Sequence, residues 1–156
     1  MQNFSRLIHQ WACAISLYRM NSMDFCPLTM ICIGYNALDM TIDALAGSSE
    51  DWDKYPEMPV CEKVGCMVHL VNFKSGLLKQ VNHLHEMNKL SSVYQSEVYE
   101  EFLTLGSEIS VTTDIKTDAG WVQLISDDST ELDNDYKQIV DWMPTMFDVQ
   151  DDETLR

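Results

Sequence analysis

Basic residues are what this sequence has least of. Ten Lys and Arg stand against twenty-five Asp and Glu, a formal charge of −15 at neutral pH. Contact with phosphate backbones draws on clustered Lys and Arg, so this balance argues against nucleic acid as a direct partner. Glycine is also scarce, with six residues scattered singly and no Gly-rich phosphate loop. No GxSxG, CxxC or HExxH pattern occurs, so the familiar settings for a nucleophilic serine, a zinc ribbon and a zinc protease are missing. The reading is therefore a protein that is not an enzyme and carries no cofactor.

Long apolar runs are lacking too. The most apolar stretch, 28–46, is interrupted by Asn36, Asp39, Thr41 and Asp43, which makes insertion into lipid too costly. Residues 1–20 include Arg6, His9, Gln10 and Arg19 and do not read as a signal peptide. A soluble, cytoplasmic protein is expected. Five cysteines, an odd number, read as reduced thiols packed as small hydrophobes.

Apolar material is ample: 46% of the 156 residues are hydrophobic, including four Trp, six Tyr, five Phe and ten Met. That supports one folded domain rather than a disordered chain. Helical spacing predicts a helix over 4–18 and a second over 27–47, opened by Pro27 and stopped by Gly47. Within the second, Gly34 is a weak point. Residues 48–59, with two prolines and several acids, read as a loop. Its Trp52 and Tyr55 either dock a partner or fold back, Trp52 capping the core. The 3–4 rhythm of Val60, Val64, Met67, Val68 and Val71 predicts another helix. Two more follow over 77–90 and 92–105, the last opened by a Ser92–Gln95 capping box.

The period then changes. Ile109, Val111, Thr113 and Ile115 alternate with polar residues, and 121–126 reads as a return strand, giving a β-hairpin. A final helix, entered through Asp127 and Asp128, is expected to stop at Pro144. The fold class that results is α+β and predominantly helical: five or six helices with one hairpin in the C-terminal half. One globular domain is expected over 1–148, followed by a frayed acidic tail at 149–156.

The charge is unevenly distributed. Residues 1–95 carry nine acids against seven bases, a near-neutral helical scaffold; residues 96–156 carry sixteen acids against Lys116, Lys137 and Arg156. Glu97, Glu100 and Glu101 fall on the predicted helix before Gly106. Glu108, Asp114 and Asp118 flank the hairpin, and Asp127, Asp128, Glu131, Asp133, Asp135 and Asp141 follow the last helix and its entry. Packed side by side, these elements form an acidic helix–hairpin–helix over 96–148 that can mimic DNA phosphates. The function expected is a small acidic binding protein that occludes a basic partner, a nuclease or nucleic-acid-binding protein, of phage anti-defence or immunity type. Trp121 is then an apolar anchor at the contact.

Two other readings are set beside it. One is a structural or assembly subunit, of viral or other origin, whose acidic face is simply solvated. The other is a zinc domain built from Cys61, Cys66, His69, His83 and His85. Helix geometry counts against the zinc site, since Cys61 lies about 500° around a helix from Cys66 and well off its face.

Overall fold

The computed structural model describes residues 26–150 of the chain. The helix expected over 4–18 and the end of the tail lie outside the described residues. Among the described residues there are five α-helices and six strands in two antiparallel sheets, so the predominantly helical class expected from sequence is corrected. The chain divides into two compact units at Lys63 and Val64.

In the first unit, the helix expected over 27–47 is two helices. The first, α1 (Cys26–Ile33), ends where Gly34 takes a positive φ of 81°, a backbone conformation that glycine adopts at little cost. Asn36 then caps α2 (Ala37–Ala46), its side-chain oxygen accepting from the Asp39 amide at 2.9 Å. Such a cap satisfies an amide that a continuous helix would have paired internally. Gly47 ends α2, its amide donating to the Asp43 carbonyl at 3.0 Å. The supposed loop begins with a third short helix, α3 (Ser49–Asp53), opened by a reciprocal capping box between Ser48 and Asp51. Tyr55 turns inward, 4% exposed, with its ring edge-on to Tyr35 and Trp52 at 5.2 and 5.6 Å. Residues 61–63 return to the end of α1, where the Glu62 amide donates to the Cys32 carbonyl at 2.8 Å.

The second unit holds both sheets. In one, β1 (Val64–His69) and β3 (Val93–Val98) flank β5 (Gly120–Ser126), giving the order β1-β5-β3. In the other, β2 (Gly76–Val81) lies between β4 (Glu108–Ile109) and β6 (Phe147–Gln150). The short helix α4 (Leu84–Met87), a 3-10 turn (Glu100–Phe102) and the long α5 (Ser129–Met146) complete it. Val68, Leu70, Leu78, Met87, Val122, Leu124, Ile139 and Met146 belong to one buried core.

Three of the expected helices thus each give way to a strand over part of their length. The stretch 64–71 is apolar at nearly every second position as well as at 3–4 spacing, and its valines favour the extended chain. β1 pairs with β5 from Val64↔Ser126 to His69↔Trp121, which puts Val68 into the core. The hairpin is corrected as well. Residue 109 pairs with Gly76, whereas 120–126 pairs with β1 and β3, so the two halves of the expected hairpin join different sheets. Gly120, at φ 137°, lets β5 approach β3 closely; a Cβ there would strike the Glu97 carbonyl oxygen and lie 2.8 Å from the Val98 Cα. Pro144 does not end the last helix. It sits inside α5, which runs on to Met146 and passes directly into β6. No helix among the described residues is long and apolar enough to cross a membrane.

Candidate functional site

β1 ends at His69, and Asp118 lies near the end of the loop that leads into β5. The two side chains meet with His69 Nδ1 2.5 Å from Asp118 Oδ2. The imidazole is partly open, at 34%, while the carboxylate is 2% exposed. Asp118 Oδ1 has no hydrogen-bond partner among the described residues. A buried carboxylate oxygen is costly unless something meets it, which makes this couple the chemically most pointed place in the unit. Its effect on the imidazole is orientation: the nitrogen facing the carboxylate is set as Nδ1.

The backbone around the couple is rigidly built. The chain continues past His69 in register, with Leu70 and the 119–120 segment exchanging bonds: Leu70 N donates to Gly120 O at 2.9 Å and Ala119 N to Leu70 O at 2.8 Å. Asn72, 1% exposed, ties the next turn. Its side-chain amide donates to the Lys74 and Ser110 carbonyls at 2.6 and 2.7 Å. Its backbone amide donates to Thr112 Oγ1 at 2.9 Å. Thr117 Oγ1 accepts from the Thr113 and Asp114 amides, and Asp114 Oδ1 accepts from the Lys116 amide. Short polar side chains thus replace strand pairing across 110–117, which is why the alternating pattern there does not become a strand.

The residues expected to form one acidic face differ in exposure. Glu97, Glu100, Glu101, Glu108, Asp114, Asp127, Asp128, Glu131, Asp133 and Asp141 are exposed. Asp118 and Trp121 are buried, at 3% and 5%, so neither is on the outside. Asp135 is half-buried, and Asp133 and Asp135 lie about 160–200° apart around α5 at two residues' spacing.

Several of these carboxylates are fastened within the unit. Asp135 Oδ2 accepts from both the amide and the hydroxyl of Ser92, at 3.0 and 2.7 Å. Glu131 bridges Ser91 at 2.7 Å and Ser126 at 2.5 Å. Asp128 caps α5 through the Thr130 amide at 2.8 Å.

The metal ligands considered from sequence are not gathered. No group of three or more His, Cys, Asp or Glu able to hold a metal occurs among the described residues. Cys66 and His69, three apart on a strand rather than a helix, point to opposing faces. His83, in a left-handed conformation at φ 65°, stacks flat on Trp142 at 5.2 Å, and His85 is exposed on α4. The His69–Asp118 couple itself was not visible from sequence, because 49 residues separate its members and neither stands in a recognisable motif.

No family model matches the chain, and no curated protein does. Among solved structures, it is similar to the L-amino acid ligase from Bacillus licheniformis, with a TM-score of 0.59 at 12% identity, over 81% of this chain and 30% of that one. It is also similar to the phosphoribosylglycinamide synthetase from Anaerococcus prevotii, with a TM-score of 0.51 at 14% identity, over 80% of this chain and 30% of that one. These likenesses establish a shared fold. The chain spans about 30% of the length of either neighbour.

Proposed function

We propose that this chain serves as a segment of a ligase that forms an amide bond to an amino acid. The observation that carries the reading is the fold likeness to two such proteins over four-fifths of this chain. Both neighbours' names speak of an amino acid joined to something else, one as an L-amino acid ligase and the other as a maker of a glycinamide. A fold hosts many functions, so the likeness supplies a class and no residue roles. On this reading the chain does not make the bond by itself. It contributes one part of the ligase body, in proportion to the share of its neighbours that it covers.

The test is capture of the tagged full-length chain from its own cells. The captured material is assayed for amino-acid-dependent release of phosphate from a nucleoside triphosphate, with mass spectrometry of the amide product. Activity that follows the chain and is absent from a mock capture is expected. Captured chain without any such activity overturns the reading.

A second reading, the acidic occluder of a basic protein, is favoured by the exposure of ten of the carboxylates named above. It predicts a captured basic protein that leaves the chain as salt is raised from about 0.05 to about 0.5 M. A partner that is neutral, or that is retained unchanged across that range, counts against it. Reversing Asp127, Asp133 and Asp141 to lysine suits this test better than altering Glu131 or Asp135, since those two hold the unit together.

A further inference from the structure

We infer that Cys32 and Cys61 are a redox-reversible thiol pair that closes a disulfide within the first unit. Both are thiols in the structure. Cys32 lies in the last turn of α1, 9% exposed, and Cys61 lies exposed on the returning segment. The backbone sets them side by side: the amides of Glu62 and Lys63 both donate to the Cys32 carbonyl, at 2.8 and 3.5 Å. A peptide N–H stands close to a right angle to the line from the preceding Cα. One such hydrogen bond holds the backbones of 61 and 32 close enough to be compatible with the Cα separation of about 4.4–6.8 Å that disulfides span. The side chains sense each other as well, since burial and then the neighbouring Cys61 push the Cys32 thiol upward.

The asymmetry of exposure assigns the roles. Cys61 is the sulfur an oxidant reaches, and Cys32 is the resolving thiol. With a peroxide, the Cys61 thiolate attacks one oxygen and the O–O bond breaks, giving a sulfenic acid and one water. The Cys32 sulfur then attacks the sulfenic sulfur, the S–S bond forms, and the sulfenic hydroxyl leaves as water with the Cys32 thiol proton. Two thiols and one hydrogen peroxide give one disulfide and two waters. A dithiol reductant reverses the step by exchange.

The experiment treats the intact full-length chain with low hydrogen peroxide, blocks remaining thiols with N-ethylmaleimide, and maps tryptic peptides by mass spectrometry. The expected product joins peptide 55–63 to peptide 20–54. Because the latter carries Cys26 as well as Cys32, fragment ions assign the bond. Dithiothreitol restores both thiols. In C32S, Cys61 is expected to be trapped by dimedone as a sulfenic acid with no cross-link to 20–54, and circular dichroism of C32S and C61S confirms that the fold persists. Two outcomes overturn the inference: both thiols alkylated after oxidation of the native chain, or Cys61 joined to another cysteine in place of Cys32.

Discussion

Asp135 takes two hydrogen bonds from one residue, the amide and hydroxyl of Ser92, and so fixes the turn that leads into β3 to the middle of α5. Removing the carboxylate leaves both donors to find other partners in a half-buried place. Asp135→Ala is expected to lower the unfolding free energy by about 1–3 kcal/mol, read as a reduced midpoint in urea with an unchanged slope. An unchanged midpoint would mean that water replaces the carboxylate at no cost. The same residue shows why the site was only partly legible. As one acid among sixteen in the last 61 residues it reads as surface charge. Its partner stands 43 residues away, at a distance that no local pattern reaches. Asp118 was obscured in the same manner, since burial beside His69 is a property of the fold and not of the neighbouring sequence.

Among elements, α2 and the segment after α3 are joined by one carboxylate. Asp43 Oδ2 accepts from the Tyr55 hydroxyl at 2.5 Å and pairs with Lys54 Nζ at 2.7 Å. The Lys54 and Tyr55 hydrogen bonds hold the Asp43 carboxyl below its ordinary value of 3.8, while burial and then Asp43 push the Tyr55 phenol from 10.0 up to about 12. The signs give two limits to the first unit's stability. A carboxyl lowered by folding stabilises fully above its unfolded value, so that contribution fades as pH falls below about 3.8. A phenol raised by folding stabilises fully below its unfolded value, so that contribution fades as pH rises from about 10 through about 12. Ultraviolet titration of phenolate formation should therefore show one late-ionising tyrosine near pH 12, absent from Tyr55→Phe. Its persistence in that variant would assign the late step to another tyrosine.

Elements also show which local signals were sufficient. Gly47, Asp128 and the run from Leu132 to Met143 mark helix ends and a helix face through local chemistry, and α2 and α5 stand near where they were expected. Residues 64–71 and 92–98 carry apolar residues compatible with both periods. There the choice of strand is made by pairing with β5, which lies some 20–60 residues further along. Pro144 misled for a related reason. Its lost amide bond is tolerated one turn from the end of a helix whose Met143 and Met146 are anchored in the core.

The whole molecule carries −15, of which a pair such as Lys54–Asp43 offsets only a little. Repulsion among exposed carboxylates opposes compaction, and salt relieves it. Raising ionic strength from about 0.01 to about 0.15 M shortens the screening length from about 30 to about 8 Å. The melting temperature is then expected to rise by a few degrees in differential scanning calorimetry. A fall would mean that attractive pairs outweigh the repulsion.

The pairing of β5 between β1 and β3, and of β6 against β2, also has a consequence in time. On a ribosome, β1 and β3 emerge long before the strand that joins them, and β2 emerges long before β6. Until residues 120–150 arrive, three strands present unpaired edges and apolar faces, the condition in which chains associate with one another. Contacts of such long sequence separation close slowly. In the cell, the second unit is therefore most in need of a chaperone's shelter in the interval just before its last two strands are made.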